Sequence, residues 1–224
     1  MRDPLKSWLI TWSHPQFQAR REVLASNYSR WKGNMVVVDQ GVDAMEPERP
    51  DERLHILHHQ ATRHVHGFPI LSRSGALNAG ILHALQQGAE QITLTDPNVS
   101  YSDALWLKSL SLEEGHCIGS PAAGQSGTLI ATADTLRTLG GVFPGYCMWG
   151  CDDYDLRAQL VGIRGHQRWN LEDLGGKVTR TSPAMPASNV RLYAERIEAL
   201  IGLKIPEIYG QHAALCTWLG LDRI

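Results

Sequence analysis

Trp8-Leu9-Ile10-Thr11-Trp12 and Met35-Val36-Val37-Val38-Asp39-Gln40-Gly41 are the two runs whose reading decides the fold. The first is short, β-rich and closed by Ser13-His14-Pro15. The second is an unbroken apolar, β-branched strand, which suits the interior of a parallel sheet covered on both faces. Between them, residues 16–31 read as a helix with Phe17, Val23, Leu24 and Tyr28 among its apolar positions. Strand, helix, strand in that order is a βαβ unit and sets the class as α/β with a mainly parallel central sheet.

Outward from this unit the pattern continues. Residues 42–53 are polar and proline-bearing and read as a loop, and Leu54–Leu57 as a third strand. From Ser74, a candidate N-cap, Leu77, Ile81, Leu82 and Leu85 fall on one helical face, and Gly88 ends the helix. Gln91–Thr95 is a strand running into Asp96-Pro97-Asn98. Residues 103–114 read as a helix, Gly127–Thr132 as a strand, and Asp155–Gly162 as a helix with Leu156, Leu160 and Val161 inward. Residues 170–190 read as loop-rich, and 191–202 as a last helix. The expectation is one domain with a core over about 7–165 and a C-terminal extension over 166–224.

The chain has 224 residues with 21 Lys and Arg against 23 Asp and Glu, a formal charge of −2 that argues against a broad basic face for nucleic acid. With 43% hydrophobic and 20% charged residues it reads as a globular protein rather than a disordered one. Its four cysteines are too scattered for a disulfide framework or a zinc ribbon. No apolar run reaches the ~18–20 residues of a membrane span. The N-terminus lacks a signal-peptide core, so the expected location is cytoplasmic.

In open α/β sheets ligands sit outside the carboxyl ends of the strands, and two strands here end in a carboxylate, Asp39 and Asp96. Either can accept hydrogen bonds from a ribose or base, or hold a divalent cation against phosphates. The plainer reading is that Asp favours the first turn after a strand. A denser cluster is Trp149-Gly150-Cys151-Asp152-Asp153-Tyr154-Asp155-Leu156. Asp152 as N-cap with Asp155 three residues on is like a capping box, and both suit the positive end of a helix. Asp153 is the carboxylate that capping does not need, and it is the candidate general base. The histidines His55, His58, His59, His64 and His66 have no carboxylate or cysteine among them, and read as surface or half-buried groups rather than a metal site.

This order of motifs resembles a GT-A glycosyltransferase, a Rossmann-like nucleotide-sugar-binding domain. The resemblance runs from Trp8-Leu9-Ile10-Thr11 through Val36-Val37-Val38-Asp39 and Arg73…Asn78-Ala79-Gly80 to Asp96-Pro97-Asn98, where the family carries Asp-x-Asp. It ends at Gly140-Gly141-Val142-Phe143 and the Trp149–Leu156 block. That block is similar to the Trp-Gly-Gly-Glu-Asp-x-Asp-Leu segment of the β-1,4-galactosyltransferase and chondroitin-polymerase-like enzymes. The resemblance implies an inverting transfer from a nucleotide sugar, UDP-linked, to a saccharide, peptide or small-molecule hydroxyl. It implies Asp39 at the uracil or ribose, Arg73 and Asn78 along the nucleotide pocket, and Asp96 at the diphosphate. Trp149 would wall the sugar, Asp152 would hold a hydroxyl, and Asp153 would be the base.

Two departures stand out. Asn98 replaces the second carboxylate of Asp-x-Asp and is a weaker ligand for Mn²⁺ or Mg²⁺. The histidine that the family supplies after its acidic helix has only His166 as a counterpart here. Either Asp96, Asn98 and His166 hold a metal, or helix dipoles and basic groups stabilise the leaving diphosphate instead. A non-catalytic scaffold on a degenerate transferase fold is the alternative that Asn98 supports. A nucleotidyltransferase would need a glycine-rich basic loop where Ser13-His14-Pro15-Gln16 stands. At this length a second copy or partner surface is expected to complete the acceptor site. The lids expected are 42–53, 115–127 and 170–190, with Gly119, Gly124 and Gly127 allowing movement.

Overall fold

The computed structural model describes residues 3–13, 21–40, 51–58, 63–65, 68–70, 73–111, 118–119, 128–142, 152–153, 155–156, 167–168, 177–178, 188–189, 191–193 and 195–196. After a single 3-10 turn (Pro4–Lys6), strand β1 (Ser7–Ser13) leads to helix α1 (Arg21–Arg30) and β2 (Asn34–Asp39). Then follow β3 (Leu54–His58), β4 (Arg63–Val65), β5 (Phe68–Ile70) and α2 (Arg73–Gln86). After these come β6 (Gln91–Leu94), β7 (Val99–Ser100), α3 (Asp103–Ser111), β8 (Ile118–Gly119), β9 (Leu129–Thr132) and α4 (Ala133–Leu139). Short strands β10 (Gln167–Arg168) and β11 (Lys177–Val178) follow, and residues 152–153, 155–156, 188–189, 191–193 and 195–196 are helical.

Seven strands form one sheet in the order β10-β8-β9-β6-β1-β2-β3. β1 pairs in parallel with β2 on one side and β6 on the other, and β3 extends the parallel block beyond β2. β9 is antiparallel to both β6 and β8. The architecture is therefore α/β with a mixed, mostly parallel central sheet, as expected.

Alternation along the strands explains why β2 reads as a continuous apolar run. Trp8, Ile10, Trp12, Val36 and Val38 point to one face, against Leu77 and Ile81 of α2 and Leu136 of α4. Leu9, Met35 and Val37 point to the other, against Leu24 of α1 and Leu105 and Trp106 of α3. With a period of two and helices on both faces, every position of β2 from Met35 to Asp39 is interior. Gly80 lets α2 lie close to the sheet, since a Cβ there would stand 2.5 Å from Ile10 Cγ2 and 3.2 Å from Val38 Cγ2.

Several expectations need correction. α2 begins at Arg73, so Ser74 lies in its first turn instead of capping it. Leu82 is 58% exposed, because the buried row runs through Leu77, Gly80, Ile81 and Ala84 and one further residue rotates the side chain by about 100° to solvent. Gly119, expected in a moving loop, pairs with Leu129 in the sheet. Lys177 and Val178, expected in a loop, pair with β7. Gly88 does end α2, with φ +80°. The expected lids 42–53 and 115–127 lie for the most part outside the described residues.

Candidate active site

Each parallel strand delivers a polar residue at its carboxyl end. Ser13 and Asp39 are register partners at the ends of β1 and β2, and Ser13 Oγ donates to Asp39 Oδ1 at 2.7 Å. Asp39 is buried, and His58 Nδ1 at the end of β3 lies 3.5 Å from its other oxygen. Thr95 N–H donates to Ile10 C=O, carrying the pairing with β1 one residue past β6 and leaving Asp96 at the strand's mouth. β2 and β6 flank β1 on opposite sides, so the strand order reverses here. Crevices in open α/β sheets form at such a reversal.

The first residue of α2 closes this end of the sheet. Arg73 Nε donates to Asp96 Oδ1 at 2.9 Å, and Nη2 lies 2.8 Å from the same oxygen. Nη1 donates to Asp152 Oδ2 at 2.5 Å. Trp12 Nε1 reaches Asp96 Oδ1 from β1 at 3.4 Å. Arg73 and Asp152 are both buried, and Asp153 is half-buried beside them. A small cavity of about 10 Å³, room for roughly one water, opens between Arg73, Asp152, Asp153 and the apolar Leu77, Leu94 and Val142.

Burial works against the Arg73 charge, but Asp152, Asp96 and Asp153 outweigh it and hold the guanidinium protonated. Burial pushes the Asp152 carboxyl above the ordinary range; Arg73 opposes this, while Asp153 and Asp96 add to it. Asp152 Oδ1 is buried without a hydrogen-bond partner. A buried carboxylate oxygen in that state is costly unless something occupies it.

The capping-box expectation is corrected. Asp152 and Asp155 are both in helical conformation, and each meets an arginine: Asp152 meets Arg73, and Asp155 accepts from Arg196, whose Nη2 lies 3.1 Å from Oδ1. A fully buried carboxylate needs a cationic partner more than a helix end needs another acceptor. Asn78 spends its amide on backbone: Nδ2 donates to Val142 C=O at 2.7 Å, and Val142 N–H donates to Oδ1 at 2.8 Å. Asn98 is buried in the turn after Asp96. Trp149 and His166 lie outside the described residues. Sequence reasoning missed Ser13 and Trp12, which touch Asp39 and Asp96; their signal was the shared strand end, visible only once register is known.

Among the described residues no group of three His, Cys, Asp or Glu is arranged to hold a metal by itself. The donor set does suit a hard cation shared with a substrate. Three carboxylates surround one guanidinium, and Asp152 Oδ1 is buried without a hydrogen-bond partner. Mg²⁺ and similar ions are commonly held by one or two carboxylates plus substrate phosphates.

No protein-family model matches the sequence, and no curated protein matches it. Among solved structures, the fold is similar to the crystal structure of GalNAc-T7 with UDP, GalNAc and Mn²⁺, at 12% identity and a TM-score of 0.48 over 97% of this chain. The chain covers 55% of that protein, about half its length.

Proposed function

We propose that the protein is a glycosyltransferase that moves a sugar from a UDP-linked donor to a hydroxyl acceptor. The observation that carries this reading is the convergence of Asp39, Asp96, Arg73, Asp152 and Asp153 at the strand-order reversal. In this reading Asp39 receives the nucleoside, while Asp96 and Asn98 face the diphosphate and a Mn²⁺ or Mg²⁺ ion. When bound, that ion neutralises charge on the departing diphosphate. Asp153 takes the proton of the acceptor hydroxyl as its oxygen bonds to the anomeric carbon. The bond from that carbon to the diphosphate oxygen breaks with inversion. Asp152 holds a hydroxyl through Oδ1. Trp149 and His166 keep the roles of sugar wall and cation ligand, and Asn78 shapes the pocket through Val142.

A binding subunit without activity is favoured by one observation, the amide of Asn98 where a carboxylate is expected. A thermal-shift panel of nucleotides and nucleotide sugars with Mn²⁺, Mg²⁺ or EDTA tests both. A ligand at a hundredfold excess over its Kd stabilises by about 2.7 kcal/mol. A UDP-selective rise that EDTA removes supports the transferase; silence toward every nucleotide overturns it. Asp153→Asn is expected to keep the UDP response and to slow transfer by about 10²–10⁴-fold. Equal turnover in that variant would remove Asp153 as the base.

A further inference from the structure

We propose that Arg73 is a positioning residue that sets the site's carboxylates and does not itself grip the donor; this deepens the glycosyltransferase reading and rests on it. Its Nε and Nη2 go to Asp96, at the end of β6, and its Nη1 goes to Asp152, 79 residues from Arg73 along the chain. One rigid planar fork thus ties three separate pieces of the fold together: the start of α2, the Asp96-Pro97-Asn98 turn and the helical pair Asp152-Asp153. Lysine cannot do this, because a single ammonium lacks the fork's fixed geometry.

The placement makes little sense for the helix alone. A cation on the first residue of α2 sits at the positive end of the helix dipole, and the first turn of α2 contains no acidic residue. Among the described residues the compensating charge comes from across the site, from Asp96, Asp152 and Asp153. Arg73 is 4% exposed, so it is already desolvated against Asp96 and Asp152 rather than reaching toward open solvent. Asp152 keeps its second oxygen, Oδ1, without a partner and fixed in direction by the bond that Arg73 makes to Oδ2. Asp153, the neighbouring residue, is carried with it.

The test uses the full chain with Mn²⁺ and UDP or uridine as probes, read by calorimetry, with circular dichroism and Tm confirming folding. Variants are Arg73→Met, Arg73→Lys, Asp152→Asn and the Arg73→Met/Asp152→Asn pair, which leaves no buried uncompensated charge at 152. Arg73→Met is expected to weaken UDP binding in Mn²⁺ by about 10–100-fold, as loss of an outer partner does. Asp152→Asn should weaken it similarly, the pair no more than the worse single variant, and Arg73→Lys should recover only part. Unchanged affinity in folded Arg73→Met overturns the proposal. So does a loss in the pair equal to the sum of the two single losses, which would mean that Arg73 and Asp152 act on UDP separately. Unfolding of all four variants would make Arg73 a residue of the fold alone and overturns it too. A wild-type protein that ignores UDP in Mn²⁺ defeats the glycosyltransferase reading first, and this proposal with it.

Discussion

His55 shows how far one residue's surroundings can shift its chemistry. Its ring lies 4.8 Å from that of Trp8, and His83 Nε2 is 3.1 Å from its Nδ1, at the amino ends of the parallel strands and away from the carboxylates. Burial lowers its pKa below the ordinary 6.5, and His83 lowers it further. The unfolded chain therefore binds more protons than the folded one between the lowered value and 6.5, so stability rises with pH across that window and is lost as pH falls through it. His55→Phe is expected to flatten the Tm profile on the acid side of pH 6.5, measured against wild type. An unchanged slope would assign the dependence to another group. Asn78 offers a second test at this scale. Asn78→Ala removes both bonds to Val142, and urea titration should show a loss of about 1–3 kcal/mol. A loss below that range would mean that water replaces the amide.

At the scale of elements, α2 is the piece on which the site depends. Its N-terminus carries Arg73, its middle carries Asn78, and its contact with the sheet passes over Gly80. Gly80→Ala brings two opposing effects. Helix propensity favours alanine by about 1 kcal/mol. The added methyl meets Ile10 Cγ2 at 2.5 Å, and Ile10 is wholly buried, so the neighbour cannot yield cheaply. Overpacking of this kind costs about 1–3 kcal/mol, and the net effect expected is destabilisation. Urea titration decides it, and a stabilised variant would show that α2 can lift from β1 without penalty. Much of α2 was legible in the sequence: Leu77 and Ile81 at helical spacing, and Gly88 as its end. Its inward edge was legible only in part: Leu85 packs against the core as read, whereas Leu82 fits the same apolar pattern yet faces solvent, and only the packing against β1 and β2 selects between them.

For the molecule as a whole, the Asp155–Arg196 pair joins the core to the C-terminal helical residues. Asp155 is completely buried, and Tyr193 and Asn189 are buried as well. Arg196→Met leaves a buried carboxylate without its arginine and is expected to cost about 3–5 kcal/mol. Tryptophan fluorescence and circular dichroism should then shift together, as one cooperative transition. Separate transitions would make residues 188–196 an independent unit.

The α/β class, the parallel β1-α1-β2 unit, the strand at Leu54–Leu57 and the carboxylates at the strand ends were readable in the chain itself. Hydrophobic periodicity reports which faces are buried, and a continuous apolar strand has few other places to go. What only tertiary structure decided is which carboxylate meets which cation. Asp152 and Asp155 satisfy the local rule for a helix start, and nothing within a few residues says otherwise. Their arginines stand 79 and 41 positions away along the chain. Charge pairing of that kind is set by folding distance and burial, neither of which sequence spacing encodes. The same holds for Ser13 and Trp12: their bonds to Asp39 and Asp96 exist because strand register brings distant residues to one edge.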